Sequence, residues 1–358
     1  RLMRAADGKA QALAPSYFSP SELVTDLGNL CERVRMQSKE PGGDEAAVGA
    51  DLRRRVDALL ARIPEGSRGT AADGWLARAD VCAAIGFAYG EVRLFADAVQ
   101  WLDKGLASEL GDCPVRAAEQ AANFKVRLAV EDWSALRAGG TAGRADAAGT
   151  QVARAKLAER IESALAELDV INARSPTAER LSLLGSACKR LAWVQTGRPR
   201  VEALLNMAAY YRQAFERRQQ QDAYSFNNWA VACLLLEAID KATYGRGNWH
   251  AALAEMGERQ SALTRKALED DPKIWYATGL ADLLVVQLLL ADGDPPRCEA
   301  LAQAAGQQYA GAFARGASPR EIASIQEHLD FLLELTGDPA AAWSAALRTA
   351  LQSVRQAI

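Results

Sequence analysis

The chain has 358 residues, 49% of them hydrophobic, which exceeds the usual size of one compact core and leaves two or three domains or one extended repeat array. Its 42 Lys and Arg stand against 45 Asp and Glu, a net charge of −3 that lacks the positive field a phosphate backbone attracts, so nucleic acid is not an expected partner. Six widely spaced cysteines without a C-x-x-C pair, and only two histidines, argue against a disulfide framework or a zinc site.

Apolar residues recur at helical spacing almost throughout, and β-branched alternation is missing, so the expectation is all-α with no strands. The first predicted helix, 20–38, opens on Ser19-Pro20-Ser21-Glu22, an N-cap serine, a proline and a capping-box glutamate. The second, 43–62, carries Arg53 to Arg55 in a mixed-charge stretch that reads as a solvated helix face. Residues 1–68 are therefore expected to form a helical pair that caps or extends an array over 69–358. Helices at 70–91 and 94–108 follow. In them Gly86, Tyr89, Phe95, Ala98, Leu102 and Gly105 occupy the small, aromatic, aromatic, small, bulky and small positions of a tetratricopeptide-type hairpin. One such hairpin cannot bury its own apolar face, so neighbours must stack on it.

Helices at 114–130 and 150–174 come next, separated by AGGTAGRADAAGT at 138–150, which reads as a flexible insertion. Trp133 then reads as an ordinary helix end. At 176–196 and 200–219, Leu181, Leu184 and Gly185 take the first-helix positions and Ala203, Met207 and Tyr210 the second. Phe226, Trp229 and Ala230 mark the pair 222–241 and 249–269, and Trp275, Gly279 and Leu283 the pair 273–291 and 295–315. A last pair is predicted at 318–336 and 339–356. Ser175-Pro176, Asp271-Pro272, Asp294-Pro295, Ser318-Pro319 and Asp338-Pro339 punctuate the starts. The result is a tetratricopeptide-like α-solenoid of about seven antiparallel helix hairpins, its Trp and Tyr serving as core residues rather than a ligand cage.

Several segments resemble bacterial tetratricopeptide arrays that accompany a caspase-like CHAT protease domain. They are ERLSLLGSACKRLA at 179–192, AAEQAANFKVRLA at 117–129 and DAYSFNNWAVACLLL at 222–236, the last also distantly similar to the TRAF-binding regulatory region of mitogen-activated protein kinase kinase kinases. The resemblance implies a regulatory or sensing module attached to an effector domain. The enzyme's own residues do not carry over, because the chain has neither predicted strands nor a His-Gly motif, and His250 and His328 read as structural or surface residues. The chain opens on Arg1 without an initiator methionine and is expected to be a piece of something longer.

The acidic run Glu269-Asp270-Asp271 precedes Pro272 and suits the N-terminus of the next helix better than an acid/base site. No glycine-rich phosphate loop is present, and no cofactor is expected. The longest apolar stretch, 274–291, is broken by Asp282 and Gln287, so no membrane span is expected and the setting is read as cytoplasmic. The reading is a scaffold and not an enzyme. Its first helices should line a concave face on which Lys125, Lys189, Arg190 and Asn227 could clamp an acidic protein segment by charge-assisted hydrogen bonds. A dimerisation or spacer element is the second reading, and a helical enzyme the third.

Overall fold

The computed structural model describes residues 3–6, 9–12, 15–37, 45–69, 74–140, 147–244, 249–339 and 341–358. The long helices are α1 (Pro20–Gln37), α2 (Glu45–Leu60), α3 (Ala79–Glu91), α4 (Phe95–Leu106), α5 (Val115–Gly140), α6 (Ala147–Arg174), α7 (Ala178–Val194), α8 (Gly197–Arg217) and α9 (Ala223–Ile239). After the one-turn α10 (Lys241–Tyr244) come α11 (Trp249–Asp270), α12 (Ile274–Leu290), α13 (Pro295–Phe313), α14 (Pro319–Thr336) and α15 (Ala345–Gln356). Among the described residues the fold class is all-α, of the antiparallel-hairpin α-solenoid type, apart from one small exception. Strands β1 (Met3–Ala6) and β2 (Lys9–Ala12) pair antiparallel, Met3 opposite Ala12, where no strand was expected. Four-residue segments are too short to recover the cost of helix nucleation, whereas a hairpin pairs their backbone groups at once. The available signal was Asp7-Gly8, a dipeptide that hairpins favour.

The chain forms two compact units, Arg1–Lys125 and Val126–Ile358, with the division inside the sequence of α5. In the first, small residues set how closely α3 and α4 approach. A Cβ on Gly86 would stand 2.6 Å from Leu102 Cγ, and one on Gly105 3.1 Å from both the Ala79 carbonyl oxygen and Cys82 Cβ. Phe95 is buried and stacks on Phe124 with ring centroids 5.3 Å apart. The basic run on α2 is tied by Arg53 to Asp97 at 2.7 Å and by Arg54 and Arg55 to Asp51, an ordinary charged helix face.

In the second unit α7 packs on α6 and α8, α8 on α9, α11 on α12, and α12 on α13, the nearest-neighbour stacking of a repeat array. The buried tyrosine of the α7–α8 lock is Tyr211, against Gly185, and Tyr210 instead donates to Asp169 at 3.0 Å on the outer side. Trp275 is also displaced from its expected core role, being 54% exposed. Helix α12 reads IWYATGLADLLVVQLLL, apolar on nearly every side, so periodicity cannot choose its inward face. Packing buries it on several sides, Ala277, Ala281, Val285 and Leu288 along one and Leu283, Val286 and Leu289 along others.

Helix boundaries shift where tertiary bonds intervene. Helix α5 runs ten residues past its predicted end, carrying Trp133 into the interior under the Arg154 guanidinium at 4.9 Å. Of the expected insertion at 138–150, Ala138–Gly140 and Ala147–Thr150 are helical, and 141–146 lie outside the described residues. Thr177, not Ser175, caps α7. The last helix starts at Ala345 rather than after Asp338, because its cap Ser344 is held by Asp292 at 2.5 Å.

Ser318 forms the expected capping box with Glu321. Replacing it by alanine should lower the stability of the second unit by about 1 kcal/mol in urea denaturation. An unchanged midpoint would mean that α14 does not depend on its cap.

Candidate functional site

The four sequence-predicted residues fall in both compact units. Lys125 belongs to the first unit, where its Nζ meets Asp103 at 3.0 Å. The other three lie in the second unit. Asn227, only 1% exposed, is an interior residue rather than a groove residue, and its Nδ2 donates to the Gly279 carbonyl of α12 at 3.3 Å. Its neighbour Asn228 is the one that turns toward Lys189, accepting from Nζ at 3.4 Å.

Lys189 and Arg190 do adjoin each other in space, but α14 covers them. Arg190 Nη2 donates to Glu327 at 2.9 Å and Nη1 to Ser186 Oγ at 2.5 Å, while its Nε is buried with no hydrogen-bond partner. Arg127 approaches the same Glu327 at 3.9 Å. Lys189 Nζ lies 2.5 Å from His328 Nδ1 and 5.2 Å from the Phe331 ring centroid. One turn along, Trp193 Nε1 donates to Glu334 at 3.1 Å, and its ring meets Phe331 edge-on with centroids 6.2 Å apart. Arg137 also pairs with Glu334, and Arg200 of α8 with Asp338. The arrangement is a cationic face with a tryptophan in it, covered by an acidic helix with a phenylalanine in it.

Burial and crowding by like charge dominate the electrostatics here. Burial, with the Arg190 charge beside it, lowers Lys189 to about 7, and burial lowers Arg127 to about 10. His328 is held well below its usual value by burial and by Lys189. Burial raises Asp282 of α12 to about 6, although the hydroxyl of Tyr309 donates to it. The neutral ring of His328 can accept the lysine's proton donation at Nδ1.

A stability consequence follows for Lys189. Its folded pKa lies below the free value of 10.5, so the native state releases the proton first as pH rises and gains stability above about pH 7. Above about pH 9 the buried thiols Cys31, Cys188 and Cys233, all raised, act in the opposite sense. The unfolding free energy of the native chain should therefore rise between pH 7 and 9 by at most about 1.4 kcal/mol per pH unit, seen as a rising melting temperature. Lys189→Met should remove that rise. Equal profiles for both proteins would show that Lys189 keeps its proton in the fold.

Other features offer less. A groove of about 390 Å³ between α6, α7 and α8 is lined by Glu162, Asp169 and Glu202, the last two already engaged by Tyr210 and Arg198. His250 pairs with Glu237 at 3.2 Å, and Asp271 with Lys273 at 2.6 Å. Among the described residues no group of His, Cys, Asp and Glu is arranged to hold a metal ion, and no helix is long and apolar enough to cross a membrane.

The sequence missed Glu327, Phe331, Glu334 and Asp338, though their spacing of 4, 3 and 4 places them along one side of a helix. Their role depends on contact with α7 and α8, more than a hundred residues away.

Comparison with known families agrees with the repeat geometry. Residues 94–236 match the family model described as Tetratricopeptide Repeats-Sensor, a stretch from the end of the α3–α4 turn through most of α9. No curated protein matches the chain. The helical repeat is thus of the tetratricopeptide type, a fold that generally mediates protein–protein interaction.

Proposed function

We propose that the chain is the protein-binding, sensing module of a larger bacterial effector or signalling protein, of the kind in which such arrays accompany a CHAT protease domain. In this reading the module itself is not catalytic, works in the cytoplasm, and uses residues 1–68 to cap or extend the array. The single observation behind it is the cationic face of α7 and α8, where Arg190, Trp193 and Arg200 meet carboxylates along a single seam and Lys189 meets His328. Guanidinium forks and an indole donor suit recognition of an acidic protein segment. They supply no nucleophile or acid/base pair around an open cavity.

The test is a titration of the full chain with acidic, basic and neutral helical peptides of equal length, followed by fluorescence anisotropy. Saturable binding of the acidic peptide is expected, weakened about 10-fold, or about 1.4 kcal/mol, by Arg190→Ala. Circular dichroism checks that the variant remains folded. Indifference to all three peptides, combined with a tight dimer in light scattering, would favour the spacer reading.

A further inference from the structure

In a simple repeat array each hairpin touches only its neighbours. Helix α14 breaks that rule by packing on α7, with the α9–α11 and α12–α13 hairpins between them in sequence. The chemistry of this seam differs from that of the adjacent ones. Helices α7 and α8 pack closely with Gly185 against Tyr211 and with Leu184, Ala203 and Met207 buried, whereas α7 and α14 meet through Arg190–Glu327, Lys189–His328 and Trp193–Glu334, with the Trp193–Phe331 edge contact between them.

We infer that the face of α7 and α8 beneath α14 recognises an acidic, aromatic-bearing helix of a partner protein, and that α14 is the chain's own occupant of that site. This rests on the reading of the chain as a protein-binding module, and it names the partner's chemistry and the step that regulates access. The occupant's facing residues are Glu327, His328, Phe331, Glu334 and Asp338, the histidine flanking an acid–aromatic–acid–acid stripe along the helix and just past its end.

Two observations favour exchange over permanent closure. Ion pairs regain little beyond the desolvation of their charges, so this seam contributes selectivity more than adhesion. A competing helix that brings the same carboxylates leaves the cations equally satisfied, whereas parting α7 from α8 would expose apolar core. The second observation is the fit at Arg190. Glu327 reaches Nη2 alone and leaves the buried Nε without a partner. A partner carboxylate taking Nε and Nη2 together would make the bidentate fork that α14 does not supply. Flanking positions of α14 are held independently by the C-terminal segment, Arg355 on Asp330 at 2.8 Å and Gln326 on the Ile358 carbonyl at 3.2 Å. The helix can therefore swing from α7 while staying with α15.

The probe is a fluorescein-labelled peptide with the sequence of residues 318–338, titrated into the full chain and into its Glu327→Ala variant. Removing Glu327 weakens the internal occupant and leaves the cationic face intact, so the variant should bind the peptide at least 10-fold more tightly. Arg190→Ala added to it should abolish that gain. If Glu327→Ala fails to fold by circular dichroism, Glu334→Gln with Asp338→Asn serves in its place, with the same expectation. Hydrogen exchange gives an independent readout: saturating peptide should speed exchange of the α14 amides in the native chain and leave those of α13 unchanged.

Equal affinity of native and weakened chains, with α14 exchange unaltered, would overturn the internal-occupant inference while leaving the binding-module reading standing. Absence of binding by the native chain and both weakened variants would overturn the inference. The proposed function falls separately, if the acidic, basic and neutral helices also fail to bind.

Discussion

Replacing Phe226 with alanine is expected to destabilise the second unit by about 3–5 kcal/mol, the range for deleting a fully buried aromatic side chain. Phe226 is 0% exposed and sits in a three-ring cluster, 5.7 Å from the Phe215 centroid and 6.2 Å from that of Trp229. Phe215 comes from α8 and the other two from α9, so the cluster is where consecutive hairpins lock together. Truncation removes apolar area and leaves a hole that two rigid helices cannot close. Phe226→Leu, which keeps most of the volume, should cost less than about 1.5 kcal/mol. Urea denaturation followed by circular dichroism separates the two. A loss below about 1 kcal/mol for the alanine variant would show that α8 and α9 are held by something other than this cluster.

Gly86→Leu should destabilise the first unit by about 3 kcal/mol, near the upper end of the ordinary overpacking range. On an exposed helix surface, replacing glycine with a better helix former would stabilise by up to about 1 kcal/mol. The sign reverses here because a Cβ at Gly86 meets Leu102 Cγ at 2.6 Å and the Ala98 carbonyl oxygen at 3.1 Å. The leucine side chain can turn aside, but the carbonyl belongs to the α4 backbone, so α3 and α4 would have to part. Adding Leu102→Ala to Gly86→Leu should recover part of the loss, since the two side chains compete for one space. Hydrogen exchange of α3 and α4 amides would report it locally. Strict additivity of the two changes would place their clash elsewhere.

These two sites differ in how much of them the sequence announced. Gly86, Leu102 and Gly105 were legible because the tetratricopeptide pattern fixes a small residue opposite a bulky one at known spacing, and local geometry then determines their contact. Phe226 and Trp229 were legible for the same reason. Tyr210 was misplaced by one position in favour of Tyr211, since a one-residue step turns a side chain about 100° around the helix and adjacent tyrosines both satisfy the pattern. Trp275 was misplaced because α12 is apolar nearly all round.

The candidate surface was legible only in part. Lys189 and Arg190 stood out as cations on a first helix; Arg190 meets Glu327, and Lys189 meets His328 and Asn228. Lys125 and Asn227 satisfied the same rule, yet one is paired with Asp103 in the other unit and the other is buried against α12. Repeat position predicts which way a side chain points from its helix. It does not predict what has already been placed there.

The sequence alone determined the class of fold, the positions of nearly all the long helices and the small-to-large locks within hairpins, because each depends on residues within about one hairpin of each other. Tertiary structure decided that α14 lies over α7, that Glu327 rather than a partner holds Arg190, and that Lys189 shares a site with His328. Those contacts join residues 137 and 139 positions apart. Helical periodicity carries no record of such distance, and a charged stripe reads the same whether it faces water or another part of its own chain.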